Sequence, residues 1–181
     1  MALGWPGGAR FALGLSHDVD RVAKRGQFPF NAGRAVLRGR PGWLADEARS
    51  LAALIRGDEP YWNFDRIQAL EERLGVRSTF FFLDETGRAS LTSWRSNVLF
   101  RGRYRVADPG VGRAIRELDA GGWEIGLHGS YNSHLDADLL GSEKARLEQV
   151  LGRRVVGTRQ HYLRLAVPET WRIQAGLGLQ Y

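Results

Sequence analysis

The sequence has no cysteine, so disulfides and thiolate-held metals are excluded, and any metal must be bound by nitrogen and oxygen. Lysine is almost missing too. Lys24 and Lys144 stand against 24 arginines, so the formal charge of +6 is nearly all guanidinium. The arginines are spread along the chain with no dense block, which speaks against an electrostatic nucleic-acid site, and no nucleic-acid partner is expected. No apolar run is long enough to cross a bilayer, so no membrane partner is expected either. Met1 to Arg10 lacks the basic start and apolar run of a secretory signal, and a cytoplasmic location is expected. Histidine is scarce: His17, His128, His134 and His161 are the whole set, and each sits in a short polar cluster after an apolar, strand-like run.

What remains is a globular composition. The 181 residues, 43% hydrophobic and 25% charged, suffice for one domain with a core. Short apolar runs alternate with helical patterns. Phe11 to Ser16 reads as a strand. Trp43 to Arg56 reads as a helix, with Leu44, Ala48, Leu51, Ala52 and Ile55 on one face. Asn63 is placed to cap a second helix with an apolar stripe at Phe64, Ile67, Leu70 and Leu74, stopped by Gly75. Strands are expected at Ser78 to Leu83, Trp123 to His128 and Val155 to Arg159. Helices are expected from Asp108 to Leu118, Leu135 to Leu151 and Pro168 to Ala175. Residues 21–42 read as a long loop with at most a short helix, and Asp84 to Val106 as a surface excursion. This alternation implies an α/β fold with mostly parallel strands and flanking helices.

Side chains alternate faces along a strand. Continued in extended geometry, the first strand puts Asp18 and Asp20 on one face at its C-terminal end. The third puts His128 beside Glu124 and Gly126, and the fourth aligns Arg159 and His161. In parallel α/β folds, sites collect at these strand ends. Asp and His together suit a divalent ion such as zinc or another first-row metal. A second carboxylate beside the ion can act as general base, and an arginine can orient that carboxylate. Singly, each residue has a plain alternative: Asp-x-Asp is common in turns, and a lone His after a strand is often only hydrogen-bonded.

The segments LSHDVDRV (Leu15 to Val22), STFFFL (Ser78 to Leu83), WEIGLHGSYNSH (Trp123 to His134) and VVGTRQHYLR (Val155 to Arg164) resemble, in order and spacing, the motifs of the polysaccharide deacetylase, or NodB-homology, family (carbohydrate esterase family 4). The resemblance covers almost all of Phe11 to Tyr181. It implies a distorted (β/α) barrel of NodB-homology type and metal-dependent removal of acetyl groups from N-acetylated sugars. By motif, Asp18 resembles the catalytic base and Asp20 the metal-ligand aspartate. His128 resembles the first metal histidine, and Arg159 the arginine that orients the base.

The sequence departs from that pattern in two places. The family's second metal histidine falls four residues after the first, where this chain has Asn132; the next histidine is His134. His134 is therefore a candidate third metal ligand, with a surface position at a helix start as the alternative. His161 is a candidate proton donor, a ligand or a pocket residue. Tyr131, Tyr162 and Arg164 are candidate substrate contacts. The family's later strands carry a hydrophobic pocket and a late histidine acting as general acid, and this sequence has no histidine after His161. A leader over residues 1–10 and one partial barrel domain over 11–181, truncated at its C-terminus, are expected. The expected partner is a carbohydrate or other N-acetylated small substrate. A catalytically inactive carbohydrate-binding member of the same scaffold is the alternative, with Trp94, Tyr104, Tyr131 and Tyr162 available to stack on sugar rings.

Overall fold

A computed structural model describes residues 8–24, 27–89 and 93–181. The expected leader lies mostly outside this range, as does the side chain of Trp94. Four strands, β1 (Ser16–Val19), β2 (Thr79–Leu83), β3 (Glu124–Gly129) and β4 (Thr158–Gln160), form one sheet in the order β1-β2-β3-β4. All neighbours are parallel. The sheet curls into a half-barrel flanked by helices, the partial distorted (β/α) barrel that the alternation and motifs imply. The helices are α1 (Phe28–Leu37), α2 (Pro41–Ile55), α3 (Phe64–Leu74), α4 (Trp94–Phe100), α5 (Pro109–Ala120), α6 (Ala137–Leu151) and α7 (Glu169–Gly176). None of the described helices is long and apolar enough to cross a membrane.

Local chemistry sets most element ends. Asp136 caps α6, its Oδ1 accepting from the Leu139 amide at 2.9 Å. Pro109 opens α5, where a missing N–H is harmless. Gly75 and Gly152 end α3 and α6 in left-handed geometry, with φ of 66° and 80°. The outer face of the sheet carries Val19, Phe80, Phe82, Ile125 and Leu127. It packs against Ile115, Leu118, Leu140 and Leu147 from α5 and α6, all fully buried. Each such side chain contributes about 1.5–3 kcal/mol of burial free energy, so this layer fixes the register of the strands that carry the polar inner face.

Three elements differ from the sequence expectation. The first strand lies at Ser16–Val19, not Phe11 to Ser16, and Phe11 and Leu13 are 74% and 71% exposed. Pairing sets this limit. The first rung joins the Thr79 amide to the Leu15 carbonyl at 3.0 Å, and the chain before it extends past the edge of β2. The last strand is likewise displaced to Thr158–Gln160, and the last two residues pair along its start: Gln180 N donates to Val156 O and Thr158 N to Tyr181 O, each at 2.7 Å. The segment expected as a surface excursion holds α4 and buries Asp84, Glu85, Tyr104 and Val106. Tyr104 explains why it turns inward. Its hydroxyl donates to Val19 O at 2.6 Å and accepts from Leu83 N at 2.9 Å, joining the ends of β1 and β2 where the ladder stops.

Candidate active site

The register carries polar residues from three strands to one mouth. Asp18 is level with Phe81 and Gly126, and Leu83 with His128 and Arg159. Arg159 reaches back across the inner face of the sheet. Its Nη1 donates to Asp18 Oδ1 at 2.7 Å, and its Nη2 to Ser16 Oγ at 2.8 Å. On the way its guanidinium lies over the Phe81 ring, 4.6 Å from the centroid. Gly126 makes this possible, because a Cβ there would lie 2.5 Å from the ring of Phe81. The glycine in the third motif is thus the space in which the ring beneath the arginine sits.

Asp20 follows β1 directly and meets two histidines. Its Oδ1 lies 3.0 Å from His161 Nδ1 and 3.5 Å from His128 Nε2, and those two nitrogens are 3.0 Å apart. Among the described residues, these three form the group whose ligand atoms could hold a metal ion, all within 4.8 Å of one another. His128 is fixed for this task. Its Nδ1 faces the Arg159 carbonyl at 2.9 Å, so Nδ1 donates and the Nε2 lone pair points at the cluster. Asp20 Oδ1 is buried and faces the nitrogens of both histidines, which suits an oxygen ligand. Burial raises the Asp20 carboxyl, but hydrogen bonds and charge from His128 and His161 outweigh it and hold the group well below the usual carboxylate range.

His161 occupies the position for which the sequence offered His134. Arg103 Nη2 lies 2.9 Å from His161 Nε2. Arginine only donates, so in this arrangement Nε2 accepts and the imidazole proton sits on Nδ1. The donor set therefore fits an ion through Asp20 and His128 as they stand, and through His161 once its proton moves to Nε2. His134 lies outside the group, in the turn Ser133–Leu135, and its Nδ1 is buried without a hydrogen-bond partner. Burial, then the charge of Arg164, lowers its pKa. His17 pairs with Glu71 at 2.8 Å, away from the cluster.

The proposed substrate contacts are neighbours of one another. The Tyr131 and Tyr162 rings meet edge to face at 5.8 Å. Arg164 lies over Tyr131, 4.1 Å from the centroid, and donates to its carbonyl at 2.8 Å. Tyr162 is 61% exposed and stands 4.5 Å from the His161 ring. Tyr162 and Leu163 have φ of 58° and 51°. Left-handed geometry at such residues costs about 1–3 kcal/mol each and clusters at functional sites. Tyr104, in contrast, is buried in its strand-end bridge and offers no ring to a sugar. Asp18, Asp20, His128, His161 and Tyr162 all line one open cavity of about 710 Å³, a size suited to a small ligand.

Sequence reasoning missed Arg103. It donates to the Asp20 carbonyl at 2.9 Å, stands 3.6 Å from the Asp20 carboxylate and contacts His161. The segment around it has no periodic pattern that would have turned it inward.

No family model matches this sequence, and neither does any curated protein. Among solved structures, it is similar to a candidate polysaccharide deacetylase from Mycobacterium smegmatis, at 20% identity and a TM-score of 0.56, covering 98% of this chain and 52% of that one. A CE4-family pseudoenzyme from Bacillus anthracis aligns at 15% identity and a TM-score of 0.45, over 64% of this chain and 36% of that one. IcaB from Ammonifex degensii aligns at 18% identity and the same TM-score, over 65% and 52%. This chain therefore shares the fold of the mycobacterial protein and spans about half its length.

Proposed function

We propose that this chain carries the metal-binding face of a hydrolase that removes acetyl groups from N-acetylated carbohydrate, cleaving a C–N amide bond. The observation that supports it is the convergence of Asp20, His128 and His161 beside the Asp18–Arg159 pair in one cavity. A divalent ion, zinc or another first-row metal, held by Asp20 and His128 with His161 completing the set, would polarise the acyl carbonyl and acidify a water. Asp18 is partly exposed to the cavity and takes the proton of the attacking water. Arg159 holds Asp18 in its geometry through a side-chain hydrogen bond and shares its second nitrogen with Ser16. Asp18, once protonated, returns the proton to the leaving amine nitrogen. His161 takes that part only where it keeps its Nδ1 proton and stays off the ion. Tyr162 lines the cavity and supplies a ring face for a sugar, with the Tyr131 ring meeting it edge to face.

The test is zinc titration with a deacetylation assay on N-acetylglucosamine oligomers. One zinc per chain is expected, and Asp18→Asn should keep it while losing about 10²-fold or more in turnover. Undiminished turnover in Asp18→Asn would sink the proposed role of that residue. The exposed Tyr162 beside Tyr131 favours a second reading, a non-catalytic carbohydrate-binding member of the scaffold. Sugar binding with no stoichiometric zinc would favour that one.

A further inference from the structure

The apolar stripe that the sequence sets along α2 does not face the core. Leu44, Ala48, Leu51, Ala52 and Ile55 are all exposed, Ile55 at 79%, and α2 has no buried residue. The opposite face is the one that is held. Glu47 lies 2.9 Å from the Nζ of buried Lys24, and the same Nζ donates to Ser50 Oγ at 2.8 Å. From α1, Asn31 Nδ2 donates to Glu47 at 3.2 Å. Trp43 and Leu54 are half-buried on this side. An amphipathic helix on a globular protein normally turns its apolar stripe inward. Here the Lys24–Glu47 pair fixes the reverse orientation, because a buried ion pair is costly to break. The apolar surface continues into the turn between α1 and α2, where Val36 and Leu37 are exposed, Leu37 at 87%.

Charge frames this surface. Residues 28–56 carry five arginines against Asp46 and Glu47. Asp46 pairs with Arg49 and Glu47 with Lys24, while Glu59, beyond the helix, accepts from the Lys24 and Tyr61 amides. Arg38, Arg40 and Arg56 stand at the two ends of the stripe. None of them has a carboxylate, Asp58 included, at ion-pair distance among the described residues. The Arg40 guanidinium lies over the Trp43 ring, 4.5 Å from the centroid.

We propose that this face docks on an anionic lipid surface, with the α2 stripe in the headgroup region and the arginines at its ends on lipid phosphates. A helix lying in a membrane interface needs an apolar stripe flanked by cations, and guanidiniums reach from such a helix to the headgroups. This mode requires no spanning helix. A second copy of the chain suits the face less well. Two stripes laid antiparallel would set Arg38 and Arg40 of one against Arg56 of the other, and like charges across an interface are costly. α1, against which α2 packs, lines the candidate cavity through Gln27 and Asn31, so docking would hold that cavity near the lipid.

The experiment is vesicle flotation of the wild-type protein at low and high salt. The vesicles are phosphatidylcholine alone, or phosphatidylcholine with about one-third phosphatidylglycerol to supply anionic charge. Binding to the anionic vesicles should be about tenfold or more tighter at low salt, and the advantage should shrink as salt screens it. Leu51→Ser/Ile55→Ser keeps every charge and alters two exposed positions, and it should bind the anionic vesicles about tenfold more weakly. Arg38→Gln/Arg40→Gln should bring the two vesicle types to within about threefold of each other. Failure of the wild type to bind anionic vesicles overturns the proposal, whatever the variants do. So does equal binding by a folded Leu51→Ser/Ile55→Ser variant, which would reduce the effect to net charge. Sedimentation velocity on the same samples tests the other occupant. A wild-type dimer that the serine variant dissolves would assign the face to a second copy and overturn the lipid proposal.

Discussion

At His161 two demands meet on one imidazole. Arg103 offers only donors to Nε2, whereas ligation through Nδ1 needs the proton on Nε2. The Arg103 charge also opposes a cation placed a few ångströms away. Arg103→Gln removes the charge and supplies a carbonyl that can accept from Nε2–H. Zinc should then bind about tenfold more tightly, ~1.4 kcal/mol, as read by competition with a chelating dye; unchanged or weaker affinity would show that Arg103 acts mainly by bracing Asp20. A second residue-scale prediction concerns Glu143, fully buried on α6. Burial, with the Glu85 charge adding, pushes its carboxyl up to about 7 against the Ser130 and Arg146 contacts. Its Oε1 has no hydrogen-bond partner, so the charged form is costly. The folded pKa lies above the unfolded value, so this contribution to stability is complete below about 4.3 and lost as pH rises through 7. Glu143→Gln keeps the volume and an oxygen for the Ser130 amide. Unfolding followed from pH 5 to pH 8.5 should therefore show the variant gaining ~3 kcal/mol on wild type. Asp18, Asp20, His128, Arg159 and His161 could be gathered from sequence because strand alternation and the strand-end rule are local. Arg103 and Glu143 could not, since only tertiary packing decides which way an aperiodic loop or the middle of an amphipathic helix presents a charge.

Elements followed the same division. The periodic helices α2, α3, α5 and α6 and the apolar run of β2 were legible to within a few residues, because hydrophobic spacing and glycine stops are written locally. The displacement of β1 was not, because pairing with β2 decides where a strand begins, and Phe11 and Leu13 carry a strand pattern with no partner strand among the described residues. Tyr104 shows what the segment between β2 and α5 contributes. With its single hydroxyl it serves two backbone groups at the ends of β1 and β2, one residue before Asp20. Tyr104→Phe leaves Val19 O and Leu83 N without that partner in a buried place. The expected loss is ~2–4 kcal/mol in chemical denaturation, at about 1–3 kcal/mol for each unsatisfied group with partial relaxation. Zinc affinity should fall with it, since the bridge anchors the strand end from which Asp20 projects. A stability loss with unchanged zinc affinity would separate the bridge from the site.

For the whole molecule, the arrangement of donors across the sheet matters more than their number. Asp20 leaves β1, His128 lies one residue before the end of β3, and His161 follows β4, so an ion joining them would tie three of four strands at one end of an open half-barrel. β2 lies between and is held by apolar packing on its outer face. The other end of the sheet has a tie of its own kind: Thr79 Oγ1 donates to Glu124 at 2.5 Å, and the Tyr181 hydroxyl bonds the same carboxylate. Burial on the outer face and hydrogen bonds at the closed end thus organise the sheet without an ion, and the mouth is where a ligand can add most. Binding to the folded state alone stabilises by about 4 kcal/mol when free zinc is a thousandfold above its dissociation constant. At roughly 2–4 °C per kcal/mol for a domain of this size, melting should rise by about 10 °C. Asp20→Asn removes the charge from the β1 ligand while leaving its shape, and its melting temperature should be nearly indifferent to zinc. A wild-type protein that melts at the same temperature with and without zinc, under conditions where the Asp20→Asn variant is equally folded, would show that these three side chains form a hydrogen-bonded cluster rather than a metal centre.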